Sequence, residues 1–375
     1  AVVFEDRCCH RFAPLSLAGR WRVFTRVTLP QLRPALVGAS LLTFMTSGAS
    51  FSAPLYFGDD FPYLSVAIFR ARNSNYEAEA LTLTVVLACV ALVGILLFRT
   101  RRPAATSASK GAPRPLQSQT GRVAVGAIAW AIILLLLTPH FAILWLSFVN
   151  HASWHTELVP TDFTWANYAA IFGDPAAFKP ILNSLWMSAL AAMGTLVVGL
   201  PAAYLIGRNR TGHSWVNLLV LIPWALPGTV VAMNLLIAFN TAWFPGLMLL
   251  PLGYFIRYIP LLTRVTAASI STFDAGLLDA AHTLGATRAY TLRHVAVPLL
   301  LPGLVAATAL VFASALGEFV ASVLLYRLDN IPIAVQIDQQ WRGSGIGSAF
   351  AYSVFLMVLV TATFLFVRRF ASRII

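Results

Sequence analysis

Residues 297–325 read VPLLLPGLVAATALVFASALGEFVASVLL. A single charged side chain, Glu318, stands in this run, and the rest is apolar or small. A hydrocarbon layer about 30 Å thick is crossed by about 20 such residues in a helix, so the stretch reads as a membrane span. Working outward from it, the pattern recurs. Spans are expected at 35–57, 80–98, 123–149, 181–206, 216–239, 244–265, 299–325 and 346–367. The fifth and sixth contain Pro223, Pro227, Pro251 and Pro260, which spanning helices tolerate where neighbours satisfy the freed carbonyls. The expected fold class is an all-α polytopic membrane protein with about eight transmembrane helices.

Composition points the same way. Apolar residues make up 58% of the 375 and charged residues 11%, against about 45–50% and about 25% in soluble domains. Mean hydropathy is +0.76, so lipid must solvate much of the chain. The net charge of +12 would suggest nucleic acid in a soluble protein, but here the basic residues fall between apolar runs. There they fix topology by the positive-inside rule, and no nucleic-acid partner is expected. Arg99, Arg101, Arg102, Lys110, Arg114 and Arg122 occur together without an acid, marking 99–122 as a flexible cytoplasmic linker. Arg208 and Arg210, and the tail's Arg368, Arg369 and Arg373, are cytoplasmic by the same rule. Segment 150–180 carries Glu157, Asp162 and Asp174 against Lys179 alone, and 59–79 is slightly acidic, so both face outward. Eight alternating spans meet all these assignments with both termini in the cytoplasm.

Cys8, Cys9 and Cys89 form neither a disulfide framework nor a zinc site. No phosphate-binding loop, nucleophile–His–acid arrangement or Cys-x-x-Cys occurs, so no enzyme activity and no cofactor are expected. Residues 1–20 are too mixed for a signal peptide, and without an initiator Met they suggest a fragment or a processed start.

Aligning the prolines exposes an internal repeat. Pro298 lies 268 positions after Pro30, and Pro302 lies 268 after Pro34. At that offset Arg20 meets Arg288, Val27 meets Val295, Leu32 meets Leu300, Phe44 meets Phe312, Phe51 meets Phe319 and Ala53 meets Ala321. Each copy comprises a basic amphipathic segment, a proline pair, a span, an outer loop and a further span. The copies lie the same way up, and a pathway is expected where two such modules meet.

The loop before the seventh span reads Asp279-Ala280-Ala281-His282-Thr283-Leu284-Gly285-Ala286, followed by Val297-Pro298-Leu299-Leu300-Leu301-Pro302. Asp274 can cap a short helix there, Leu277, Leu278 and Ala281 give it an apolar face, and Gly285 lets the backbone turn. A second helix from about Thr287 carries Arg288, Arg293 and His294 into the span. This loop resembles the "EAA…G…LP" loop of ABC importer permeases, with Asp279 in the glutamate position. The resemblance implies the type I ABC importer transmembrane fold in the inner membrane. It also implies a coupling helix through Asp279, Ala280, Ala281, Gly285, Pro298 and Pro302 that seats in a separate ATP-binding subunit, and a periplasmic solute-binding protein as second partner. The first copy departs from the motif, placing Arg11-Phe12-Ala13 and Leu17 opposite Asp279-Ala280-Ala281 and Gly285. We therefore expect an N-terminally truncated fused permease: 1–98 as the last two spans of a first module, 99–122 as linker, and 123–375 as a complete six-span module. Gly317-Glu318-Phe319 and Ser50-Phe51-Ser52-Ala53-Pro54 resemble the ferric-iron group, with thiamine and aminoethylphosphonate permeases close to it. A secondary transporter acting alone and a non-functional truncated permease are the alternatives.

Ionisable residues within spans mark pathways. At 1.5 Å per residue, Glu318 stands roughly 28 Å from the inner end of its span, near the outer mouth, where it could attract a cation. Arg257 stands roughly 16 Å below the outer end of its own span, so depth argues against a direct bridge between the two. A snorkelling, structural Arg257 and a bundle-facing Glu318 are the plainer readings. His151, His155, Glu157 and Asp162 cluster in the main outer loop, but Pro160 and the loop's length favour irregular docking surface over a metal site.

Overall fold

The computed structural model describes residues 50–58, 61–97, 119–150, 160–208, 212–239, 244–271, 276–343 and 345–374, with 21, 24–30, 32, 36, 40, 43, 44, 47, 48 and 153. The linker core (98–118), Cys8, Cys9, Asp59, His151, His155, Glu157, Asp274 and most of the expected first span lie outside the described residues. In chain order the helices are α1 (Ser52–Phe57), α2 (Leu64–Asn73), α3 (Glu77–Leu97), α4 (Gln119–Leu146), α5 (Ala166–Gly173), α6 (Pro175–Gly207), α7 (His213–Ala225) and α8 (Gly228–Phe239). There follow α9 (Leu249–Ser271), α10 (Gly276–Thr283), α11 (Arg288–Thr291), α12 (Val297–Leu316), α13 (Ser322–Leu325), α14 (Ile333–Arg342) and α15 (Ile346–Ile374). Among the described residues there is no strand, only an isolated bridge between Val149 and Phe163.

Five described helical runs are long and apolar enough to cross a membrane: Gln119–Leu146, Pro175–Gly207, Gly246–Ser271, Ala289–Leu316 and Ile346–Phe370. The expected fifth span is a pair, α7 and α8, bent by 100° where Pro223 and Pro227 interrupt the hydrogen-bond ladder. The seventh is shorter than expected. Its helix stops at Leu316, and Gly317–Ala321 is a non-helical break before α13; hydropathy does not register this because, Glu318 apart, the break and the residues after it are apolar or small.

The packing is that of a protein dissolved in lipid. On α6, Ser184, Ser188, Ala191, Thr195, Gly199 and Ala202 are buried, whereas Leu190, Met193, Val197 and Leu200 are exposed. Small residues at three- and four-residue spacing let helices approach closely. At Gly199 a Cβ would lie 2.8 Å from Leu262 Cδ2 and 3.1 Å from Thr263 Oγ1 on α9. Asp174 caps α6, accepting from Ala176 N at 2.9 Å, with Pro175 in the first turn. Ser184 Oγ accepts from Ile333 N at 2.8 Å, and Asn183 Nδ2 donates to Ile331 O at 3.0 Å. These two bonds tie the start of α14 to α6, while α4 has no buried residue.

The backbone also repeats. Five-residue π-helical turns occupy Phe24–Thr28 and Leu292–Ala296, 268 positions apart, each two residues before a proline of the aligned pair. A widened turn frees carbonyls just where the proline ring would collide with one. Helices α2 and α14 are both ten residues long, and α3 and α15 start four residues after each ends, at an offset now of 269. Equivalent residues Phe51 and Phe319 meet, ring centroids 5.9 Å apart, as residues beside a two-fold axis do.

Gly199→Val should lower stability by about 1–3 kcal/mol through overpacking against the buried Leu262 and Thr263. Gly126→Val, where a Cβ would meet nothing within 4 Å, should leave it unchanged. Unfolding of the purified protein in mixed micelles measures both.

Candidate functional site

Two sites emerge. The first is the break after α12. Glu318 is 5% exposed, and a carboxylate so placed costs several kcal/mol unless paired. It is paired: Arg257 Nε lies 2.8 Å from Oε2, Tyr258 OH donates to the same oxygen, and Ala321 N donates to Oε1 at 3.1 Å. The break thus closes on its own carboxylate. Ser322 Oγ donates to Glu318 O, and Tyr254 OH lies 2.7 Å from Ser322 Oγ, so α9 and α13 are stitched together across the same break. Gly228 begins α8, and a Cβ there would fall 2.6 Å from Arg257 Nη1 and 3.1 Å from Val320 Cγ1, so a larger residue would have to displace the guanidinium.

This corrects the expectation that depth separates Arg257 from Glu318. Counting depth along straight spans assumes that α12 runs on to residue 325. The helix ends at Leu316 and the chain turns back onto α9, which carries Arg257. Glu318 accordingly has its charge balanced by Arg257 inside the bundle.

The second site is the loop holding Asp279, Ala280, Ala281 and Gly285. Helix α10 ends at Thr283, and the chain then turns at Gly285, whose φ is +84°, the left-handed region that favours glycine. Ala286 N donates to Ala281 O at 3.0 Å and Gly285 N to His282 O at 3.0 Å, the paired bonds of a Schellman close. Thr287 Oγ1 accepts from Tyr290 N at 3.3 Å and so caps the helical run that continues through α11 and the π turn into α12. Pro298 falls in the first turn of α12 and Pro302 inside it. The loop is therefore a short helix clamped by a glycine turn to one end of a long one. It presents Leu277 and Leu284, the latter 88% exposed, beside an open hollow of about 470 Å³ that includes Ala281, Gly285 and Tyr290. Asp279 lies within α10.

A third set was not anticipated. Tyr56 of α1 donates to Asp338 of α14, Arg342 Nε lies 2.8 Å from Asp338 Oδ1, and the Arg342 guanidinium sits 5.5 Å from the Tyr56 ring centroid. Burial works against the charge on Arg342, yet the hydrogen bond and charge of Asp338 hold its pKa above the usual guanidinium value. The amphipathic pattern of α14 was the signal available in the sequence, hidden between two spans. His140 is on the exposed face of α4. Asp162 is exposed in the irregular segment before α5. Among the described residues no three His, Cys, Asp or Glu side chains are grouped as metal ligands.

Glu318→Gln should destabilise the purified protein by about 3–5 kcal/mol, because Arg257 is left charged and unpaired. Adding Arg257→Met should recover most of that loss. Unfolding midpoints of the wild type, both single variants and the double variant measure the coupling.

Residues 195–375 match the family described as binding-protein-dependent transport system inner membrane component. The chain is 29% identical to a probable ABC transporter permease protein, y4fN, of Sinorhizobium fredii, over 85% of this chain and 59% of that protein. It is 27% identical to the ferric transport system permease protein FbpB of Actinobacillus pleuropneumoniae, over 93% of this chain and 52% of that one. A permease of Salmonella paratyphi A named for 2-aminoethylphosphonate transport, PhnV, is 26% identical over 68% of this chain and 97% of its own length. The chain thus spans little more than half the length of the first two. Among solved structures, a chain of a bacterial alginate ABC transporter, crystallised with its alginate-bound periplasmic protein, shares the fold. The TM-score is 0.54 at 16% identity, covering 68% of this chain and 96% of that one. Through residues 195–375 the chain is thus similar to the inner membrane components of binding-protein-dependent transport systems, and over most of its length to ABC transporter permeases.

Proposed function

We propose that this chain forms part of the membrane pathway of an ABC importer, with α10 and its glycine turn acting as the lever that a separate ATP-binding subunit grips. The observation that carries the reading is the build of that loop. A short helix with exposed Leu277 and Leu284 is fixed by the Gly285 turn and the Thr287 cap to one end of α12, so a push on it moves α12 as a rigid body. Asp279, Ala280 and Ala281 lie on the gripped helix, and Pro298 and Pro302 lie where it hands over to the span. On this reading the loop and both termini are cytoplasmic, and a periplasmic solute-binding protein delivers the solute from the other side.

Residues 1–98 belong to a first permease half, 99–122 to a linker, and 123–375 to a complete second half. The matched π turns and the equal lengths of α2 and α14 support that division. Ferric iron is our choice of solute. A ferric permease aligns over 93% of the chain, and a permease named for 2-aminoethylphosphonate over 68%. Arg257 and Glu318 then act as supports of the pathway wall rather than as solute ligands.

Asp279→Lys and Gly285→Pro should each abolish binding-protein-stimulated ATP hydrolysis in the assembled complex while the chain still inserts into membranes. Stimulation at the wild-type rate would remove the lever assignment. Uptake of radioactive ferric iron, unaffected by excess 2-aminoethylphosphonate, is the expected substrate result, and the reverse preference would replace iron.

A further inference from the structure

The repeat allows one half of the molecule to be read against the other. In the second copy, α9 packs along the break and α13 through a definite set of residues. Arg257 and Tyr258 meet Glu318, Tyr254 meets Ser322, and Gly253 lies where a Cβ would touch Leu325 Cδ1 at 3.0 Å. Glu318, Ala321, Ser322 and Leu325 are all buried by this helix and its neighbours. The equivalents in the first copy, 268 positions earlier, are Ser50, Ala53, Pro54 and Phe57. They line an open cavity of about 460 Å³, joined by Ser47 and Gly58, the equivalents of Ala315 and Tyr326. Where Leu325 is 1% exposed, Phe57 is 85% exposed. The residues that face α9 in one copy are those that face a void in the other.

Charge narrows what fills it. Ser50 stands where the second copy has Glu318, so the first copy offers no carboxylate to an arginine. A second copy of this chain does not supply the missing helix, because Arg257 and Tyr258 of its α9 already hold its own Glu318. We propose that this groove is the seat of a membrane helix built like α9 but uncharged at the position facing Ser50, and belonging to a permease half different from residues 123–375. The proposal rests on the two-half reading above and extends it to a surface and a partner chemistry. The occupant presents a small residue to Phe57, as Gly253 does to Leu325.

Ser50→Glu tests it, because the open cavity leaves room for the carboxylate in the chain on its own. The variant chain and a Ser50→Ala control are expressed in place of the wild type in its own cells. Membrane insertion is scored by resistance to carbonate extraction, and assembly by migration on native gels. We expect both variants to insert, Ser50→Ala to assemble like the wild type, and the share of Ser50→Glu in the larger complex to fall at least about tenfold. Unchanged assembly of Ser50→Glu would mean that the groove faces water, and increased self-association that a second copy's Arg257 occupies it. Failure to insert would mean that it faces lipid, and each of these three results overturns the proposal. Neither readout involves nucleotide or solute, so the importer reading stands or falls separately on the Asp279→Lys result.

Discussion

A carboxylate inside a membrane bundle has to find its counter-charge within the protein, and the arrangement around Glu318 follows from that constraint. Because α12 stops at Leu316, the backbone of 317–321 runs without a helical ladder, where unsatisfied polar groups are costly. Glu318 answers part of that need with Oε1 on Ala321 N, and Arg257 and Tyr258 hold Oε2. Arg257 in turn lies against Gly228, where the absent Cβ leaves room for the guanidinium at the start of α8. One buried ion pair thus fixes the end of α12, the start of α8 and the middle of α9 together.

The two copies of the repeat have diverged where they meet. On one crossing, Tyr56 of α1 reaches Asp338 and Arg342 of α14. The residues at the equivalent positions of the opposite crossing, Leu324 and Phe69, lie in one apolar cluster. Ser50 and Glu318 differ in the same way. The backbone preserves the symmetry in its π turns and short helices, while the side chains make one crossing polar and ionic and the other apolar.

Most of the membrane architecture was legible from hydropathy and proline, because apolar length and missing N–H groups act locally. Spans four, six and eight appear within several residues of their expected ends, and the loop motif lies on a short helix closed at Gly285 as its spacing suggested. What escaped was set by tertiary return of the chain. Gly317 was the visible sign that α12 ends early, but the apolar run beyond it masked the break, and with it the meeting of Arg257 and Glu318. The ten-residue helices α2 and α14 were hidden for a related reason: they lie between spans and are too short to show in a window of membrane length.

On the proposed function, the loop at 276–285 is a lever on the cytoplasmic side, held by a nucleotide-hydrolysing partner. Leu284, which stands clear of the fold, is the place to ask. A cysteine substituted there, with Cys8, Cys9 and Cys89 removed, is treated with a membrane-impermeant maleimide in right-side-out and in inverted vesicles. Labelling is expected in inverted vesicles alone, with protection when the ATP-binding subunit is present. Labelling from the opposite face, or reactivity indifferent to that subunit, would contradict the lever assignment.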